Sequence, residues 1–158
     1  LVACSEGNMP VLHDIVIFAY ETGARQSEIL KLKREHIDFD KRLCTFYDTK
    51  NGEDRTIPLT DTAIEILKRH RFGDTLFSLL ARRLRKHFTI ACKRAQIINF
   101  RFHDLRACFC TNALLSGMTI PEVATLSGHK DWKQLQRYTR IKPTDLIEKV
   151  KKIEKSIG

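Results

Sequence analysis

One hairpin signal interrupts a chain whose other apolar residues recur mostly at helical spacing. Asn51 and Gly52 form the strongest short signal for a tight turn between antiparallel strands, and β-branched, aromatic and apolar residues flank them at 43–47 and 56–59. Pro58 marks an edge or an end of the hairpin, because proline cannot donate a hydrogen bond to a neighbouring strand. The predicted fold is therefore mainly α-helical with a small antiparallel β-sheet, the α+β class.

Glycine, proline and capping residues divide the rest of the chain into helical segments. Gly23, Gly117 and Gly128 each follow an apolar periodic run, where a glycine commonly ends a helix. Thr60 can cap a helix, and Pro121 suits a first turn. The predicted helices span residues 11–20, 26–32, 60–70, 79–95, 103–116 and 132–138, with another between Pro121 and Gly128, a Lys-rich one after Pro143, and a short extended piece at 97–101. Within 103–116, the residues Leu105, Phe109 and Ala113 form an apolar stripe.

Length and charge limit the class of protein. A chain of 158 residues that is 42% hydrophobic can bury one substantial core but is too short for two ordinary domains, so we expect a single domain over residues 1–158. Lys and Arg total 28 against 19 Asp and Glu, and the resulting formal charge of +9 favours a polyanionic partner. The longest apolar run, residues 15–20, is far shorter than the roughly 20 residues of a membrane span. We expect a soluble, intracellular protein with no membrane partner.

The cysteines and the first residues add two expectations. Five cysteines, an odd number without a C-x-x-C pair, indicate buried thiols rather than a disulfide framework or a zinc site. The chain opens without methionine inside a helical pattern, so we expect it to be a fragment of a longer protein.

Four polar clusters carry the residue types that phosphate chemistry requires. They are residues 22–30 with Arg25 and Glu28, residues 49–52 with Lys50, the H-x-x-R motif of His103 and Arg106, and Ser127-Gly-His129 followed nine residues later by Tyr138. In this order they resemble the catalytic signature of the tyrosine site-specific recombinases, the integrase family that includes the Xer-type resolvases. The resemblance covers residues 1–155, and the combination is far more specific than a lone H-x-x-R motif.

The resemblance implies the tyrosine recombinase catalytic-domain fold and a site-specific DNA recombinase or integrase. Such an enzyme cleaves and rejoins DNA strands through a 3′-phosphotyrosine intermediate, with no metal and no cofactor. The implied catalytic residues are Arg25, Lys50, His103, Arg106, His129 and Tyr138, with Glu28 in a supporting role. The implied partner is double-stranded DNA, bound by a homotetramer of the full-length protein. The isolated domain is expected to be monomeric, to lack the family's N-terminal core-binding domain, and to act in the cytoplasm in association with the nucleoid.

The chemistry explains why these residue types belong together. Guanidinium groups offer fixed, planar donors to the non-bridging oxygens of a phosphate, which suits Arg25 and Arg106. Tyrosine is a weak nucleophile at its ordinary pKa of about 10, so Tyr138 needs a nearby base and positive charge. His103 can accept or position the tyrosine proton, while His129 can donate to a phosphate oxygen.

Several alternatives remain open on the sequence alone. A type IB topoisomerase would use the same residue types, and a non-catalytic DNA-binding module could share the fold. Lys50 could be an ordinary turn lysine, with Lys33 and Lys41 as competitors for its role. Tyr47 is rejected as a rival nucleophile because no His or Arg cluster surrounds it. The basic run is either a solvated face or a surface that follows DNA phosphates: Arg82, Arg83, Arg85, Lys86, Lys93 and Arg94.

Overall fold

The computed structural model describes residues 4, 9–47, 54–70, 73–131, 133–136, 144 and 147. Its helices are α1 (Pro10–Thr22), α2 (Gln26–Leu30), α3 (Asp61–Arg69), α4 (Ala81–Arg94), α5 (Asp104–Leu115), α6 (Ile120–Ser127) and α7 (Lys133–Gln136). A 3₁₀-helix at Arg34–His36 precedes the strands β1 (Ile37–Asp38), β2 (Leu43–Phe46) and β3 (Arg55–Pro58). The prediction of a mainly α fold with a small antiparallel sheet is confirmed.

The sheet has β2 at its centre, paired antiparallel with β1 on one side and β3 on the other. Phe46 lies opposite Arg55, and Ile37 lies opposite Cys44. The two strands of the predicted hairpin are present, whereas β1 was not predicted because two residues are too few for an alternating pattern to appear. The turn at Asn51-Gly52 lies outside the described residues.

Two glycines end helices where the sequence places them. Gly23 follows α1 with φ +62°, and Gly128 follows α6 with φ +71°, both in the left-handed region that favours glycine. Space is also restricted at Gly23, since a Cβ atom there would collide with the ring of Phe109 on α5. The end of α1 and the first half of α5 are therefore held in close contact.

The main core surrounds α1, and a smaller cluster joins α5, α6 and α7. Ile15 and Phe18 of α1 have no exposed surface, and burial of each such side chain contributes roughly 1.5–3 kcal/mol. Leu105 and Ala113 of the predicted α5 stripe are buried, so α5 packs against α1 with one part of its surface and against α6 with another. This arrangement brings the end of α1 to the start of α5.

The segment 97–101 was predicted to be extended, but it forms no strand. Gln96 and Asn99 each adopt φ +56°, so the chain turns twice where a strand would run straight, and Ile98 stays 83% exposed. All five cysteines are free thiols, and Cys44 and Cys110 are fully buried. Within the described ranges, none of the helices combines the length and the apolar character that crossing a membrane requires.

Candidate active site

Arg25 stands immediately before α2, where local contacts with Glu28 fix its side chain. The Glu28 carboxylate accepts from the backbone N–H of Arg25 at 2.7 Å and from Nη1 of Arg25 at 2.7 Å. The other terminal nitrogen of Arg25, Nη2, donates to the carbonyl of Gly128 at 2.9 Å. The guanidinium therefore joins the start of α2 to the end of α6.

Arg55 is a buried arginine that sequence reasoning missed. It lies on β3, and its side chain is 7% exposed. Nη2 pairs with Oε2 of Glu28 at 2.7 Å, Nη1 donates to the carbonyl of Ser127, and Cζ lies 4.9 Å from the centre of the Phe46 ring. Burial lowers the pKa of Arg55, while the neighbouring carboxylate opposes that effect. Arg55 is spaced two and four residues from Ile57 and Leu59, which are buried, so all three side chains lie on one face of the strand. That spacing was the signal in the sequence that this arginine points inward.

Arg106 lies in the first turn of α5 and is only 3% exposed. Nη1 donates to the carbonyl of Gly23 at 2.8 Å, whereas Nη2 is buried and has no hydrogen-bond acceptor in the described part of the chain. Burial lowers the pKa of Arg106 to about 10, and the charges of Arg25 and Arg55 act in the same direction. The side chain remains a cation at neutral pH, with N–H groups that a bound anion could use.

His103 immediately precedes α5 and lines the same cleft as Arg25. The cleft has a volume of about 390 Å³, and Arg85 of α4 also lines it. The side chains of α4 that carry the basic run are exposed, so one edge of that run reaches the cleft. The sequence analysis did not distinguish Arg85 from the other five residues of the basic run, so its place in the cleft was not predicted.

His129 is held at the end of α6 by the residue two positions before it. Oγ of Ser127 donates to the carbonyl of Val123 and lies 2.7 Å from Nδ1 of His129. Which of the two atoms donates in this contact depends on the tautomer of the imidazole, but in either case Nδ1 is engaged with Ser127. Any hydrogen bond from this imidazole to a phosphate must therefore come from Nε2. Sequence reasoning named Ser127 in the motif but gave it no role, and the structure shows that it is fully buried.

Four of the six predicted catalytic residues are thus brought together. Arg25 contacts the residue before His129, shares a cleft with His103, and acts electrostatically on Arg106. Lys50 and Tyr138 lie outside the described residues. Among those residues, no group of three or more His, Cys, Asp or Glu side chains is arranged to hold a metal ion. The assembled groups form a cationic site suited to an anion.

Comparisons with known proteins identify relatives of this chain. The shufflon-specific DNA recombinase of Escherichia coli is 33% identical over 143 residues, covering 89% of this chain and 37% of the relative. The tyrosine recombinase XerA of Pyrococcus furiosus is 32% identical over 160 residues, covering 91% of this chain and 56% of the relative. The chain therefore spans between about a third and somewhat over half of the length of these relatives.

A solved structure extends the likeness to the fold. The catalytic domain of bacteriophage HP1 integrase is 27% identical, and it superimposes with a TM-score of 0.75 over 95% of this chain and 86% of its own. The sequence model described as the phage integrase family matches residues 7–144, which include every residue of the candidate site. The chain therefore belongs to the phage integrase family.

Proposed function

We propose that residues 1–158 form the catalytic domain of a site-specific DNA recombinase that works through a 3′-phosphotyrosine intermediate. The observation that carries this proposal is the buried guanidinium of Arg106, whose Nη2 has no acceptor in the described residues. Arg25 and Arg55 add positive charge beside it, and Glu28 is the carboxylate that pairs with both. A phosphate bound beside these guanidinium groups would supply the missing acceptor and the opposing charge.

In the proposed reaction, the phenolic oxygen of Tyr138 attacks the scissile phosphorus while the bond from phosphorus to the 5′ oxygen breaks. His103 accepts or positions the tyrosine proton, and Lys50 protonates the departing 5′ oxygen. Arg25, Arg106 and His129 hold the non-bridging oxygens, where negative charge develops. The tyrosyl ester conserves the bond energy, so a second 5′ hydroxyl can reverse the step without an external energy source.

The proposed substrate is double-stranded DNA. A formal charge of +9 and the exposed basic face of α4 support binding to a phosphate backbone, and one relative is named a DNA recombinase. For the full-length protein we propose a homotetramer on DNA, with the isolated domain monomeric. Cytoplasmic, nucleoid-associated action follows from that substrate.

A covalent-adduct assay tests the proposal. DNA carrying a nick next to the scissile phosphate traps the intermediate, because the short leaving strand diffuses away. We expect a protein–DNA adduct that survives denaturation, whereas a non-catalytic DNA-binding module would give none. Synapsis of two sites would distinguish a recombinase from a type IB topoisomerase, which would relax supercoils without pairing sites.

Arg106→Met is expected to lower the rate of adduct formation by roughly 10²- to 10³-fold, the usual cost of removing one donor from a site of developing charge. DNA affinity should fall much less, because the clamp acts most strongly in the transition state. Arg69→Met is the matched control, since Arg69 is an exposed arginine paired with Asp14. Equal losses in rate and affinity would reduce Arg106 to a binding residue.

Cleavage is also expected to persist in excess EDTA. The proposed site neutralises phosphate charge with guanidinium and imidazole groups, so no divalent cation is needed for that task. Adduct yield on nicked DNA with EDTA and with magnesium gives the comparison. A strict requirement for magnesium would contradict the mechanism.

A further inference from the structure

We propose that Arg55 is a positioning residue for strand cleavage, which fixes Arg25 and His129 relative to each other and to strand β3. This inference rests on the proposed function. Arg55 has its guanidinium between α2 and the end of α6, and its backbone belongs to β3. It is thus the point at which three parts of the proposed site meet.

The first connection runs through Glu28 to Arg25. One carboxylate oxygen of Glu28 pairs with Nη1 of Arg25, and the other pairs with Nη2 of Arg55, each at 2.7 Å. Glu28 is 6% exposed, so these contacts are little screened by solvent. Each guanidinium group is planar and has fixed donor directions, so pairing with the same carboxylate restricts both arginines to a narrow range of positions.

The second connection runs to His129. Arg55 donates to the carbonyl of Ser127, while Arg25 donates to the next carbonyl, that of Gly128. Two arginines bridged by one carboxylate therefore hold two successive carbonyls. Ser127 in turn contacts the His129 ring through its hydroxyl. The position of the imidazole is thereby linked to the position of Arg25.

Close packing restricts the same point further. A Cβ atom on Gly128 would lie 2.5 Å from Nη1 of Arg55. The glycine is therefore required both by its positive φ and by the approach of the arginine. Arg55 also contacts the Phe46 ring on β2, so a substitution of its side chain would alter the packing of both β2 and β3.

Stability alone does not account for this arrangement. Burial lowers the pKa of Arg55, which means that the fold carries a cost for keeping the cation out of water. Its Nε is also buried and has no acceptor in the described part of the chain. Replacing a buried ion pair by apolar side chains is often neutral or stabilising, and an inward strand position would ordinarily hold such a residue. We infer that the buried arginine is kept because it fixes the positions of its neighbours in the site.

The test compares Arg55→Met with Arg42→Met. Methionine keeps much of the length and packing of the arginine over Phe46, and Arg42 is a matched control because it is exposed and pairs with Asp61 on the surface. Adduct formation on nicked DNA should slow by about 10²-fold in Arg55→Met, the effect that a small misplacement of reacting groups can have. Arg42→Met should retain the wild-type rate, and DNA affinity should change little in either variant.

A double-mutant cycle separates positioning from a general structural role. If Arg55 acts through the His129 segment, Arg55→Met should cost little further rate in a His129→Ala background, because neighbours in one network are not additive. If Arg55→Met instead slows adduct formation by the same factor in both backgrounds, the proposal is overturned. If Arg55→Met does not fold, Arg55→Lys is used in the same cycle, since it keeps the charge beside Glu28 but lacks the planar fork.

A second readout does not depend on activity. The backbone N–H groups of Gly128 and His129 both donate to the carbonyl of Ala124. Their hydrogen exchange should be faster in Arg55→Met, while the Arg42→Met chain exchanges at the wild-type rate. Unchanged exchange at both amides would overturn the inference. Absence of any adduct from the wild-type protein would instead count against the proposed function, so the two failures are distinguishable.

Discussion

Tyr138→Phe is expected to abolish the covalent adduct on nicked DNA while leaving DNA binding and the melting temperature close to their wild-type values. The substitution removes one hydroxyl group, and that hydroxyl is the proposed nucleophile, so no slower version of the same step remains. Denaturing electrophoresis of protein incubated with labelled nicked DNA measures the adduct directly. This is the largest effect expected of any single substitution in the chain.

Tyr47→Phe is the matched control for that experiment. Tyr47 is half exposed beside the hairpin, and its ring packs edge-on against His36 at a centroid distance of 4.9 Å. It lies outside the arginine cluster, so its hydroxyl should be dispensable and the adduct should form at the wild-type rate. An adduct that survives Tyr138→Phe but is lost in Tyr47→Phe would reverse the assignment of the nucleophile.

Local sequence signals predicted the fold well where they act within a few residues. Gly23 and Gly128 end helices because each needs a left-handed backbone, and that requirement is visible in the residue type. The segment 97–101 was misread because apolar residues such as Ile97 and Ile98 suggest a strand. A strand also needs a neighbour to pair with, and the described sheet ends at β1 and β3.

The site was predicted only as far as residue type and order allow. Arg25, His103, Arg106 and His129 were identified from motifs, and the structure brings them to one cleft or one cluster of contacts. Arg55 was missed because its partners, Glu28 and Ser127, are 27 and 72 residues away along the chain. Such contacts depend on how α2, β3 and α6 pack together, which no local pattern encodes.

The same packing explains why positive charge can accumulate in this interior. Arg25 and Arg55 share Glu28, but the described contacts of Arg106 include only the carbonyl of Gly23. Its pKa of about 10 reflects burial first and the neighbouring cations second. The folded chain disfavours the charged form of Arg106 relative to the unfolded chain, so this cost is fully present below about pH 10 and is relieved at higher pH. A bound phosphate would offset the cost at neutral pH, so substrate binding and site stability are coupled.

The role of Lys50 can be isolated through the leaving group. An alkoxide departs poorly and needs a proton as the bond breaks, whereas a thiol, with a pKa of about 8.5 in the cysteine reference, can leave as the anion. Replacing the bridging 5′ oxygen of the scissile phosphate with sulfur therefore removes the need for a general acid. Lys50→Ala should slow cleavage of ordinary DNA by up to the roughly 10²- to 10⁴-fold that general acid catalysis contributes, and the sulfur-bridged strand should largely restore the rate.

Two further variants make the result specific. Lys41→Ala should cleave both substrates at the wild-type rate, because Lys41 is an exposed lysine that pairs with Asp38 on the surface. Arg25→Ala should be slow on both, since its proposed contacts are to non-bridging oxygens and a better leaving group does not replace them. If Lys50→Ala is equally slow on oxygen- and sulfur-bridged DNA, the lysine only binds phosphate. The proton would then have to come from another group near the 5′ oxygen.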